Sequence, residues 1–164
     1  MGNGVRVLLV EDDHLLATFL EYKLVKSGYQ VEYAADGETA LSRLQAENYD
    51  VLLMDLMLPR MNGFQVAHEL LDDPEHLPSV WIAISARSSD EDILRAFELG
   101  AADFITKPFS LEIMLARLKV ALRCKVAANG ALGSQLGWQE EPAAATREDR
   151  PRFTALKSRH IGQV

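Results

Sequence analysis

Apolar positions along the first 125 residues follow two alternating patterns. Residues 5–10 (Val-Arg-Val-Leu-Leu-Val), 50–55 and 79–84 are short runs in which apolar residues dominate. Such runs suit strands buried on both faces of a parallel sheet. Residues 30–34 alternate as a strand with one polar face, and residues 102–106 make a short fifth strand. Between these runs the spacing changes to that of a helix. Leu15, Leu16, Phe19, Leu20 and Leu24 follow it within residues 13–27, and Ala40, Leu41 and Leu44 within residues 37–47. Further helices are expected over residues 63–71 and 89–99. A last one starts after the cap Ser110 and runs to about 125, with Leu111, Met114, Leu115, Leu118 and Leu122 inward. Punctuation agrees with these limits. Gly28 and Gly100 stand at helix ends, Asp36-Gly37 opens the second helix, and Pro74 and Pro78 bracket a loop. Asp90, Glu91 and Asp92 place negative charge at a helix start, where the dipole favours it.

Five strands alternating with five helices predict an α/β fold, a doubly wound parallel sheet covered by helices on both faces. Past residue 125 the periodicity stops. Residues 126–146 are rich in Ala, Gly and Gln and read as a linker, and residues 147–160 are compatible with a short amphipathic helix around Phe153 and Leu156. The expected division is therefore a folded unit over 1–125 and a tail over 126–164, largely disordered or partner-dependent.

Charge sharpens this division. Residues 1–125 hold 12 Lys+Arg against 20 Asp+Glu, and residues 126–164 hold 5 against 4. An acidic domain argues against direct nucleic-acid binding and suits a site that holds cations. The single cysteine, Cys124, excludes an intrachain disulfide and fits a reducing cytoplasm. No stretch has signal-peptide character or the length to span a membrane.

The candidate chemistry lies at strand ends. Glu11 and Asp12 end the first strand, Asp55 the third, Ser85 the fourth, and Lys107 follows the fifth. In an open parallel sheet these positions share the carboxyl edge, where such folds bind ligands. Crowded carboxylates repel, and a hard divalent cation relieves the repulsion. Lys107 adds an ammonium and Ser85 a hydroxyl, which completes a cradle for a phosphoryl group. Asp55 is placed as the nucleophile.

The motifs Val10-Glu11-Asp12-Asp13, Met54-Asp55-Leu-Met-Leu-Pro59-x-Met-Asn-Gly63-Phe64, Ile84-Ser85-Ala86 and Gly100-Ala-Ala-Asp-Phe104-Ile-Thr-Lys107-Pro108-Phe109 resemble those of two-component response regulator receiver domains. The resemblance covers about residues 4–124. It implies a flavodoxin-like sheet of order 2-1-3-4-5 and a Mg²⁺-dependent phosphoacceptor at Asp55. It further implies that Asp12 binds the metal directly, Glu11 through water, and the Met57 carbonyl completes the protein ligands. Ser85, Ala86 and Lys107 would contact the phosphoryl group, Ser85 and Phe104 would act as the switch pair, and Lys107-Pro108 would be cis. Asp13 reads separately, as the cap of the first helix. The implied partner is a histidine kinase or a histidine phosphotransfer protein.

On the face of the fourth helix, fifth strand and fifth helix, Ile93, Ala102 and Ile113 stand where winged-helix members usually carry charges. That face would serve a homodimer, a downstream protein or the tail. Three other readings compete. A haloacid dehalogenase-type phosphatase would need a second Asp at the place of Met57. A dinucleotide-binding module would need a G-x-G-x-x-G turn where acids stand. A pseudo-receiver would bind partners without phosphorylation. The leading expectation is a signalling domain, not an enzyme with turnover.

Overall fold

A computed structural model describes residues 4–129. The elements alternate as β1 (Arg6–Val10), α1 (His14–Lys26), β2 (Gln30–Ala34), α2 (Gly37–Ala46), β3 (Val51–Asp55), α3 (Gly63–Asp72), β4 (Val80–Ser85), α4 (Asp90–Glu98), β5 (Asp103–Thr106) and α5 (Leu111–Asn129), with one 3₁₀ turn at Pro74–His76. The five strands form one parallel sheet in the order β2-β1-β3-β4-β5.

The sheet divides the core into two layers because successive side chains on a strand point to opposite faces. Leu8, Val10, Leu52, Met54, Trp81 and Ala83 pack with residues of α2, α3 and α4. Val7, Leu9, Val51, Leu53, Ile82 and Ile84 pack with residues of α1 and α5. Every residue of β3 and β4 is buried, which accounts for their unbroken apolar runs. Each fully buried leucine among them contributes roughly 1.5–3 kcal/mol. Trp81 is a core residue and donates its indole N–H to the Leu99 carbonyl at 3.3 Å.

Local signals set the element ends. Asp13 caps α1, accepting the Leu15 and Leu16 amides at 2.9 and 3.1 Å. Asn62 and Gln65 form a reciprocal capping box at the start of α3. Gly28 and Gly100 take positive φ just past α1 and α4.

Two features differ from the sequence reading. Leu15 and Phe19 share the helical spacing of the α1 core residues yet face outward. The buried stripe is Ala17, Leu20 and Leu24, with Leu16 half-buried beside it. α5 also continues past residue 125 to Asn129. The segment that reads as a linker therefore begins inside this helix, and its remainder, with the helix suggested over 147–160, lies outside the described residues.

The chain leaves β1 for β2 on one side and returns to β3 on the other. The crevice between the carboxyl ends of β1 and β3 is thus the point where the winding reverses, and β3 brings Asp55 to it beside Glu11 and Asp12.

Candidate functional site

Glu11 and Asp12 follow β1 directly, and Asp55 is the last residue of β3. One carboxylate oxygen from each of the three lies within 4.8 Å of the others. Glu11 and Asp55 are buried, and Asp12 stands exposed at the mouth. Lys107 reaches this cluster from just beyond β5. Its Nζ lies 2.9 Å from Glu11 Oε1 and 2.8 Å from Oε2, and it also donates to Asp55 Oδ2. It forms its hydrogen bond with Oε1, while Oε2, in ion-pair contact with the same ammonium, has no hydrogen-bond partner among the described residues. The second Asp55 oxygen accepts the Met57 amide at 2.6 Å.

Burial dominates the electrostatics. It pushes the Glu11 carboxyl above the usual range, and Lys107 offsets only part of that rise, to which Asp55 adds. Burial also pulls the Lys107 ammonium down. Its hydrogen bonds and charge pairing with Asp55 and Glu11 outweigh that effect and leave its pKa raised. Lys107 is therefore a fixed cation. Even so, three carboxylates face one ammonium. Hard oxygen donors with uncompensated negative charge fit a hard divalent cation.

The other residues singled out from sequence lie around this cluster. Asp55 pairs in register with Ile84, so Ser85 comes one residue later on the neighbouring strand. Ser85 is buried, and its hydroxyl accepts the Arg87 amide at 3.0 Å. The Lys107 amide donates to the Ser85 carbonyl at 2.8 Å, which ties the β4 and β5 ends together. Ala86 is the exposed residue after Ser85, and the Met57 side chain is exposed as well. Phe104 is half-buried on β5 against the core under α4. The Lys107-Pro108 peptide is cis.

Sequence reasoning missed several supports. The Tyr33 hydroxyl donates to the Glu11 carbonyl at 2.9 Å and meets His14 Nδ1 at 3.0 Å. Since that hydroxyl spends its proton on Glu11, His14 Nδ1 is the donor in the second contact. Asp36, nearly fully buried, caps α2 through the Thr39 amide and receives Arg60 from the β3–α3 loop. Gly63 is a steric requirement. A Cβ there would lie 2.7 Å from the Asp55 carbonyl oxygen and 2.8 Å from Leu56 Cα. Only the closeness of Gly63 to Asp55 in sequence hints at this.

A family model described as the response regulator receiver domain matches residues 7–119. The chain is 37% identical over 118 residues to the alkaline phosphatase synthesis transcriptional regulatory protein PhoP of Bacillus subtilis, covering 72% of the chain and 48% of PhoP. It is 34% identical over 153 residues to the response regulator MprA of Mycolicibacterium vanbaalenii, covering 90% of the chain and 65% of MprA. The chain thus spans from 48% to 65% of the length of these relatives. Among solved structures, the receiver domain of the Francisella response regulator 1452 superposes with a TM-score of 0.69 at 29% identity, covering 74% of the chain and 98% of that domain.

Proposed function

The chain belongs to the response regulator receiver domain family, and on that premise we propose that it accepts a phosphoryl group on Asp55 in a Mg²⁺-dependent reaction. The convergence of Glu11, Asp12, Asp55 and Lys107 from three strand ends supports this reading most directly. In the transfer a carboxylate oxygen of Asp55 forms the new O–P bond. The N–P bond of a phosphohistidine on a histidine kinase or phosphotransfer protein breaks, and its electron pair stays on the imidazole. Asp12, Asp55 and the Met57 carbonyl would hold the ion, with Glu11 acting through water. When bound, Mg²⁺ supplies charge neutralisation for the transferring oxygens. Lys107 holds the attacking carboxylate and neutralises the product, and the Ala86 amide and Ser85 hydroxyl bind phosphoryl oxygens.

Phosphorylation would draw the Ser85 hydroxyl from the Arg87 amide to the new anion, with Phe104 following inward. That change repacks α4, β5 and α5, where Arg117 now pairs Asp103 through two contacts of 2.9 and 2.8 Å. The partner or output domain would read this face, as a homodimer or by contact with a downstream protein. The receiver would end near residue 125, with the residues after it a linker or tail. To a phosphohistidine donor α1 offers an apolar stripe beginning one turn from Asp12. Leu15, Phe19 and Tyr22 are 68%, 54% and 62% exposed there. Transfer between cytoplasmic proteins fits the described residues, which contain no helix long and apolar enough to cross a membrane.

Acetyl phosphate with Mg²⁺ tests the assignment. Intact mass spectrometry is expected to show one acid-stable, base-labile phosphoryl group on the full chain and none on Asp55→Asn. Equal uptake by both proteins would refute it. Steady release of p-nitrophenol from its phosphate would instead favour a phosphatase.

A further inference from the structure

The loop between β3 and α3 carries Leu56, Met57 and Leu58 from the phosphoacceptor to the α3 cap, yet it is held at its outer end by α2. Arg60 Nη2 donates to the buried Asp36 carboxylate, and Nε lies 3.4 Å from Glu38 Oε2. One residue on, the Met61 carbonyl fits against Gly37, where an added Cβ would lie 2.0 Å from its oxygen. Arg60 reaches Asp36 with φ of 64°, a backbone region that penalises any residue with a Cβ. Two independent contacts, one ionic and one steric, thus fasten the loop to the start of α2. Within the loop, Met57 is held through its amide by Asp55 Oδ1, and its side chain stands in solvent. Rotation of the loop would turn the Met57 carbonyl and shift the amide that Asp55 Oδ1 accepts.

We infer that Arg60 is a positioning residue for the cation site, acting through Asp36 to fix the loop that presents the Met57 carbonyl beside Asp55. This rests on the metal reading above and adds a residue outside the cluster to it. Asp36 is a sound anchor because Thr39 already fixes both its oxygens, at 2.8 and 2.9 Å. Arg60 itself is 57% exposed along its side chain, so replacing it opens no cavity.

The test compares wild type, Arg60→Ala, Arg60→Gly and Arg60→Lys in the full chain by Mg²⁺ titration calorimetry, with thermal midpoints measured in EDTA. Glycine adopts the positive φ freely and lacks the guanidinium, so it separates the ion pair from backbone strain. Both Arg60→Ala and Arg60→Gly are expected to weaken Mg²⁺ binding about tenfold, the lower range for groups that orient ligands. Lysine is expected to keep affinity within about threefold, since it retains the charge but not the fork. Saturating Mg²⁺ should restore the Arg60→Ala labelling rate with acetyl phosphate to that of wild type. Wild-type Mg²⁺ affinity in Arg60→Gly overturns the inference, as does a labelling deficit that saturating Mg²⁺ leaves in place. Absence of Mg²⁺ binding by wild type would sink the metal reading itself, and this inference with it.

Discussion

Replacing Lys107 with methionine keeps the length of the side chain and removes its charge. Nζ contacts two carboxylates, of which Glu11 is 0% and Asp55 3% exposed. Deleting one partner of a buried ion pair costs about 3–5 kcal/mol, because the surviving charge stays buried without its counterion. The lower end applies here. The Lys107 side chain keeps 19% exposure, and Asp55 retains the Met57 amide. The expected loss in EDTA near neutral pH is about 3 kcal/mol, a fall of roughly 10 °C in Tm for a domain of this size. Two conditions should reverse it. Saturating Mg²⁺ supplies the missing positive charge and is expected to recover more than half. Acidification should also help, since losing the ammonium raises the Glu11 pKa further above its unfolded value. The folded state then takes up a proton that the unfolded state does not, so stability climbs as pH falls through the raised folded pKa. Urea and thermal melts by circular dichroism, in EDTA and in MgCl₂, measure all three effects. A loss below about 1 kcal/mol in EDTA, or one that Mg²⁺ leaves unchanged, would refute the buried-pair account.

Gly63→Ala should destabilise the domain by about 2 kcal/mol, because the new Cβ meets backbone atoms of Asp55 and Leu56 that cannot swing aside. An unchanged urea midpoint would show that the β3–α3 loop yields easily. In the wild type, compared with Glu11→Gln, the raised Glu11 pKa contributes a decline in metal-free stability as pH rises from the ordinary glutamate value of 4.5 through the folded value. Mg²⁺ should flatten that decline, and a flat difference profile in EDTA over the same window would count against a strained Glu11.

The strands were legible because β3 and β4 are buried on both faces, which leaves unbroken apolar runs with a chemical residue at the end. Asp55 and Ser85 stand out for the same reason, as the last residues of those runs, whereas Lys107 follows a short, partly polar strand. The inner face of α1 was not legible. Apolar residues occupy so many of its thirteen positions that helical period alone cannot choose a stripe, and contact with α5 and the sheet decides it. Composition does not mark the end of α5. Val126, Ala127 and Ala128 looked like linker, yet alanine is the strongest helix former and carries the helix on to Asn129. The Arg60–Asp36 pair joins loops 24 residues apart and leaves no periodic trace.

The charge balance of the crevice ties its chemistry to its topology. Three carboxylates against one ammonium leave two negative charges, the complement of one divalent cation. A parallel sheet gathers these groups without asking any one loop to hold them, because β1, β3 and β5 all end at the same edge. With a divalent cation bound the site would be near neutral, and a phosphoryl group on Asp55 would make it negative again by about one charge, since the acyl phosphate replaces a carboxylate already charged. The donors left to answer that charge are the Ala86 amide and the Ser85 hydroxyl, and Ser85 is now engaged as acceptor to Arg87. In the proposed transfer the Ser85 hydroxyl, which keeps its own proton to donate, would turn toward Asp55, and that turn would couple a local change of charge to the face formed by α4, β5 and α5.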